Sequence, residues 1–398
     1  MKQLLDVMDE KKIPQIKLSV VDIEGHPKFM IIPREYLEEA VDGIGIDGSS
    51  IPGFTTVDKS DLIAKPDIES AVFLENEVII FCDVYDRKGN LFEGEPRGIL
   101  KQVLQRNTFL VKPELEFFLL NKGSPADTEG YMDAAEGLTL ITDLISNTDI
   151  RVERIHHENG PGQYEIEPLM APALKACDNI ILLKEALRKK ARSHGLTATF
   201  MPKPLKGVAG SGMHVHVLLE KDGENLFEGF SKTAQSFVGG LLSHARGITA
   251  LCNPTINSYK RLVPQFEAPV YITWGRGNRS TLVRIPLGGK TRIEYRAPDP
   301  SCNPYLALAL ILGAGLDGIE KKIEPPEEVD GDVFESHAHA GILPSSLKDA
   351  ITELEGNDLA RRILGEHIIR EFIELKKEEI LNYDTHISQW EFDHYLEK

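Results

Sequence analysis

Four short stretches place two chemically active side chains at i and i+2 inside β-type sequence. They are Glu114 and Glu116 in KPELEFFLL, Glu165 and Glu167 in GQYEIEP, His214 and His216 in SGMHVHVLL, and Glu294 and Arg296 in TRIEYRAPDP. Alternation along a strand puts each pair on one face. A single such pair describes the wet side of a sheet. Four of them, three embedded in apolar residues, describe one sheet face that is polar by design and assembled from distant parts of the chain. Residues 156–167 (HHENGPGQYEIE) add to it, because Glu158 and Glu165 flank a Gly160-Pro161-Gly162 turn that lets both carboxylates converge. Carboxylates brought together repel unless a proton or a cation sits between them.

The 398 residues suffice for two domains, one with a substantial core. The first 96 read as a small, mostly β unit: a short helix over 1–12, strands over Gln15–Asp22, His26–Ile32 and Glu77–Asp86, and a polar loop, Asp47 to Phe54. From residue 97 to 398 strands alternate with helices, as in an α+β domain. Strands are expected at Thr108–Leu120, Arg151–His157, Gln163–Pro168, His214–Leu219, Ser280–Pro286 and Thr291–Ala297. Helices are expected at Ile99–Gln105, Leu174–His194, Thr233–Leu251, Tyr305–Ile319 and Leu359–Leu381, with 320–345 one long surface loop. A net charge of −17 argues against a general nucleic-acid or anionic-membrane binder. The longest apolar run is too short to span a bilayer, the N-terminus lacks a secretory apolar segment, and four scattered cysteines fit reduced thiols. These features describe a cytoplasmic protein. Two familiar phosphate motifs fall away. Gly313, Gly315 and Gly318 match GxGxxG but lie in a helical run, and Gly289-Lys290-Thr291 has Arg284 where a P-loop needs glycine.

Convergence of Glu114, Glu116, Glu158, Glu165, Glu294 and one histidine would be prohibitive without compensation. Oxygen-rich ligation with a single imidazole suits Mg²⁺ or Mn²⁺ better than Zn²⁺. Arg261, Arg279, Arg284, Lys290, Arg292 and Arg296 fall within 36 residues. A solvated basic face fits poorly there, because the arginines alternate with apolar residues. Guanidinium forks match carboxylates and phosphates, which points to an anionic, polyphosphate substrate. Metals and arginines without a P-loop point to phosphoryl transfer by positioning and charge neutralisation.

Together these stretches resemble the type I glutamine synthetases over nearly the whole chain. The resemblance rests on DGSSIPGF (47–54), PELEFF (113–118), HHENGPGQYEIE (156–167), the MPKP and GSGMHVH signatures (201–216), NPTINSYKRLVPQFEAPV (253–270), GNRS (277–280), RIEYRAPDPSCNPYLALAL (292–310) and WEFDHYL (390–396). It implies an N-terminal β-grasp-like domain (1–96) and a catalytic ATP-, glutamate- and metal-binding domain (97–398) with a curved antiparallel sheet flanked by helices, as in the guanido kinases. It implies that Glu116, Glu158 and Glu165 hold one Mg²⁺ or Mn²⁺, that Glu114, His214 and Glu294 hold another, and that two or three ions serve each site. Arg261 and Arg296 would grip glutamate beside the Gly210 backbone. Arg279 would meet the transferring phosphoryl group, with Arg284, Lys290 and Arg292 as supporting cations. Glu153 and His216 would contact ATP. Asp47 and Glu267 would bind ammonium and take its proton. Family members form two stacked hexameric rings with active sites shared between subunits, and Trp390, Phe392 and Tyr395 would enter the opposite ring.

Several positions depart from the family pattern. Ala209 replaces an asparagine beside the glutamate site, Leu218 a serine near the nucleotide, and Gln265 the flap glycine. Trp274-Gly275 replaces smaller or hydroxylated residues, the 121–150 region and the loop after 320 are short, and Phe334 stands where some relatives carry a modifiable tyrosine. The metal ligands are all retained. Three activities remain open on sequence: a glutamine synthetase, a γ-glutamyl ligase using an organic amine, and a non-catalytic assembly protein.

Overall fold

The computed structural model describes residues 1–121, 134–264, 266, 268–336 and 340–398. The N-terminal sheet runs in the order Pro27–Pro33, Gln15–Val21, Glu77–Tyr85, Asp61–Pro66, Ile44–Asp47, with Val72–Leu74 also on Glu77–Tyr85. Period-two alternation decides which core each side chain joins. Val78, Ile80, Cys82 and Val84 pack with Ile16, Leu18 and helix residues Leu4 and Met8 in a core belonging to this unit. Ile79 and Phe81, on the opposite face, enter the main core with Ile99, Leu100 and Phe109. The strand Glu77–Tyr85 is therefore buried on both sides, and its second face is what docks the sheet.

Polar groups fix that docking. Arg97, 2% exposed, bonds Asp67, Asp83 and Asp178 at 2.8–3.1 Å, while Glu95 caps the helix Pro96–Leu104 through the Arg97 and Gly98 amides. Asn303 caps the helix Pro304–Lys321 and also donates to the Asp22 and Ile23 carbonyls.

The remainder carries two sheets. One has the order Leu196–Thr199, Leu115–Asn121, Gln163–Pro168, Val152–His157. The other runs Ala171–Pro172, Thr108–Pro113, Val215–Lys221, Ile293–Tyr295, Val283–Ile285, Trp274–Arg276, with Glu224–Asn225 beside Val215–Lys221. Pairing is antiparallel except between Trp274–Arg276 and Val283–Ile285. The strand expected over Thr108–Leu120 is broken at Glu114, where the chain passes from one sheet to the other. There the Glu114 amide donates to the His214 carbonyl (2.9 Å) and Glu116 to Gly212 (3.2 Å), so the curved face continues across the break.

Helices Ala173–Ser193, Lys232–Cys252, Pro304–Lys321 and Asp358–Asp384 match four expected ones. Pro304–Lys321 is buried nearly all round. Its Gly318 approaches Gly240 of the neighbouring helix so closely that a Cβ on Gly240 would lie 2.1 Å from the Ala314 carbonyl. The glycines of the discarded GxGxxG are thus packing positions. Helices Ala134–Ser146, Leu347–Glu355 and Gln389–Tyr395 were not expected, and a short turn of helix, Val333–Ser336, interrupts the 320–345 loop. No described helix is long and apolar enough to cross a membrane, and all four cysteines are free and buried.

Candidate active site

Strand register assembles the acidic face. Glu165 lies directly opposite Glu116 on one neighbouring strand and opposite His156 on the other. Opposed residues share a face with their Cβ atoms roughly 5 Å apart, where like charges repel. Burial, and then the nearby Glu158 and Glu114, push Glu116 up to about 8 despite Arg261. Glu165 is driven well above the carboxylate range by burial and by Glu114 and Glu116. His156 lies between Glu158 (3.4 Å) and Glu165 (3.3 Å).

The second cluster forms where the sheets meet. Glu114, His214 and Glu294 each bring one ligand atom within 4.8 Å of the others. His214 Nδ1 is 3.1 Å from one Glu114 oxygen and His216 Nε2 is 2.7 Å from the other. Burial, with Arg296, lowers His214 to about 4 and leaves a neutral imidazole. Burial opposes ionisation of Glu294, yet the neighbouring His216 imidazole and Arg296 guanidinium hold it down to about 2. Arg284 (2.6 Å) and Arg296 (2.8 Å) contact it directly.

A narrow cavity joins the two clusters, lined by Glu116, Glu158, Gly210, His214, Arg261 and Arg296 among others. Arg261 is 3% exposed and is anchored on the Ala297 and Arg296 carbonyls (2.8 and 3.3 Å), so among the described residues it has no carboxylate bonded to it. A Cβ on Gly212 would sit 2.6 Å from Arg261 Nη2 and 2.8 Å from His214 Nε2, which is why glycine stands there. The donor set fits hard divalent cations: buried, mutually repelling carboxylates and one neutral imidazole, with too few local cations to answer them. Glu114, His214 and Glu294 could hold one ion, and around Glu165 the ligand atoms that lie within 4.8 Å of one another belong to His156, Glu165 and Glu167.

Other sequence candidates lie differently. Asp47 is exposed and does not line the cavity. It accepts from the Ser49 amide and the Ser49 and Ser50 hydroxyls (3.0, 2.6 and 2.7 Å), which lower its pKa. Arg279 and Lys290 are exposed and make no ion pair among the described residues. Arg292 donates to His216 Nδ1 at 3.3 Å, and Glu153 is 3.2 Å from Lys112. Gln265 and Glu267 lie outside the described residues, as do 122–133 of the shortened region. Ala209 and Phe266 line the cavity, with Lys203 3.8 Å from the Phe266 ring. Leu218 is buried, and Trp274 stacks on Phe230.

Two participants escaped sequence reasoning. Gln163 donates to Glu116 (3.2 Å) and the Gly210 carbonyl (3.0 Å) and accepts from the Gly160 amide, tying the turn to Glu116 and the Gly210 loop. Lys112, 4% exposed, binds Glu167 (2.7 Å), which Arg154 also holds (2.5 Å). Glu167 is therefore already neutralised, although it too lies near His156 and Glu165. Both residues sit two positions before a flagged glutamate, so the same alternation could have found them.

Comparison with known proteins agrees with this geometry. The family descriptions "Glutamine synthetase, beta-Grasp domain" and "Glutamine synthetase, catalytic domain" match residues 12–87 and 93–395. Glutamine synthetases of Pyrococcus abyssi (44% identical, 96% of each chain covered) and Thermotoga maritima (41%, 98% of each) are among the relatives. Solved structures titled as a GmaS complex with ADP and as apo GmaS superpose with TM-scores of 0.91 over the full length of both chains, at 32% and 33% identity. With its two clusters, its arginine-walled cavity and these matches along both parts, the chain belongs to the glutamine synthetase family, whose members are ATP-dependent ligases.

Proposed function

We propose that this chain is a glutamine synthetase: it joins ammonia to the γ-carboxylate of L-glutamate, giving L-glutamine, ADP and phosphate. The observation that carries this reading is the cavity in which Arg261, with no carboxylate bonded to it among the described residues, faces Glu116, Glu158 and His214.

Glutamate's own carboxylate supplies Arg261 with an anion, and Arg296 and the Gly210 backbone complete that grip. The divalent ions held by Glu116, Glu158 and Glu165 and by Glu114, His214 and Glu294 would offset carboxylate repulsion and neutralise phosphate charge. A γ-carboxylate oxygen attacks the γ-phosphorus of ATP, the bond to ADP breaks, and γ-glutamyl phosphate forms. Arg279, exposed and free of described ion pairs, is able to swing onto the moving phosphoryl group, with Arg284, Lys290 and Arg292 adding positive charge. Glu153 and His216 lie toward the nucleotide. Asp47 of a neighbouring subunit, with Glu267, binds ammonium and takes its proton. The ammonia nitrogen then attacks the acyl carbon and phosphate leaves. Because Asp47 stands apart from the cavity of its own chain, the reading requires a ring assembly, here two stacked hexamers in the cytoplasm. The exposed Trp390, Phe392 and Tyr395 would link the rings.

A second reading has an organic amine as acceptor. It is favoured by Ala209, which widens the cavity wall where the family has asparagine, and by the likeness to GmaS, a gamma-glutamylmethylamide synthetase. Glutamine synthetase is preferred because the named curated relatives are more similar and Asp47 is retained. The test is phosphate release from Mg²⁺, ATP and glutamate with ammonium or methylamine. Release that depends on ammonium is expected. Release with methylamine alone selects the second reading, and none with either rejects both.

A further inference from the structure

A separate cavity of about 400 Å³ lies where the Ile23–His26 turn of the N-terminal unit meets Thr199–Pro202 and the helix Asp358–Asp384. Its wall carries Lys184, Arg188 and Lys376 against one carboxylate, Glu24, in a chain of net charge −17. Arg188 is answered by Glu185 (2.5 Å), and Lys376 by Glu24 (2.9 Å) and Glu379 (3.0 Å). Lys184 is not answered. It is 5% exposed, its ammonium donates to the Pro300 carbonyl (2.7 Å), and it forms no ion pair among the described residues. An ammonium carries three donors, so this buried charge lacks both a counter-ion and a full set of acceptors. Burial and the neighbouring Arg188 accordingly lower it to about 8. Beside these charges the wall carries polar groups, among them His26, Thr255 and Asn257, and an apolar part. Lys184 and Arg188 both lie over the Phe200 ring (5.8 and 5.0 Å), and Leu251 and Phe372 extend the surface.

We propose that this cavity binds a small organic carboxylate with an apolar body, the carboxylate on Lys184 and Arg188 and the body on Phe200, Leu251 and Phe372. Nothing in the ligase reading uses these groups; binding here stands apart from that reading, and only the coupling to glutamate rests on it. The site is wired to the acidic face. The Pro202 carbonyl accepts from the Ser211 amide (2.8 Å), and the Asn257 side chain clamps Lys203 through both its amide and its carbonyl (2.7 and 3.0 Å). Occupation therefore shifts the Ala209–Gly212 loop and alters glutamate affinity.

The test is calorimetric titration of the full chain with isovalerate, 3-phenylpropionate and inorganic phosphate. Saturable binding of an apolar carboxylate is expected, with phosphate weaker by about tenfold or more for want of the apolar contacts. Lys184→Met keeps the stem and removes the charge, and should weaken binding by about tenfold or more. Met201→Trp, at an exposed wall position, fills the cavity with every charge intact and should abolish binding, which keeps the test open if Lys184→Met does not fold. Absence of saturable binding by either carboxylate, or binding unchanged in the folded variants, overturns the site. A glutamate KM that does not move on saturation overturns the coupling.

Discussion

Glu116→Gln isolates the electrostatic cost of the acidic face. In the metal-free protein Glu116 is pushed from an ordinary 4.5 up to about 8 by burial and by Glu158 and Glu114. A carboxylate raised in this way gives its full contribution to stability below its unfolded pKa and loses it as pH climbs to the folded value, because the unfolded chain releases the proton first. Between pH 6.5 and 8 the loss runs at about 1.4 kcal/mol per unit, or about 2 kcal/mol in all. Unfolding a chain of 398 residues carries an entropy of roughly 0.8 kcal/mol/K. Wild type should therefore lose about 2–3 °C of Tm more than Glu116→Gln across this window. The glutamine keeps an oxygen to accept from the Gly212 amide, now 2.9 Å from Glu116, so the hydrogen bond is conserved. Glu95, pushed up to about 7 by burial and without a contribution from Glu116, slopes the same way in both proteins and cancels in the comparison. The assay is thermal unfolding in EDTA at fixed ionic strength, repeated with Mn²⁺. At a hundred times its Kd the ion should add about 2.7 kcal/mol, or about 3 °C, to wild type at pH 8. It should bind more weakly at pH 6.5, where it must expel protons, and more weakly to the variant at either pH. Equal slopes in wild type and variant, or a wild-type Tm that rises relative to the variant across the window, would refute the reasoning.

Arg97→Met should leave Asp178 buried without its guanidinium and cost about 3–5 kcal/mol, lowering Tm by roughly 4–6 °C in differential calorimetry. Asp47→Ala should raise the ammonium KM by about tenfold or more, the worth of one charge-assisted contact, while ATP affinity by fluorescence titration stays near wild type. Loss of nucleotide binding in that variant would mean Asp47 serves another group. Deleting residues 388–398, which contribute no buried side chain within the chain, should leave Tm nearly unchanged but reduce the mass seen by sedimentation from stacked rings to single rings.

Much of this architecture was legible from local pattern. Alternation marked Gln163–Pro168 and the strand after His214, and a run of apolar residues marked Pro304–Lys321. It was also enough to flag Glu114, Glu116, Glu165 and Glu294 as a common face, because the side-chain period of a strand is a property of the backbone alone. It failed where pairing partners matter. Glu167 has the same spacing from Glu165 as Glu116 has from Glu114, and reads identically in sequence. In the fold it belongs to Lys112 and Arg154, while Glu116 faces Glu165 across the register. Likewise the one strand expected through Glu114 became two, because the chain changes sheets there to bring His214 and Glu294 within reach. The sequence by itself determined which residues share a strand face and how many charges that face must carry. Only the tertiary structure decided which charges meet, since register and sheet order are set by burying Leu115, Phe117, Ile166 and their kind against residues far away in the chain, and a carboxylate's environment is fixed by whatever that packing places opposite it.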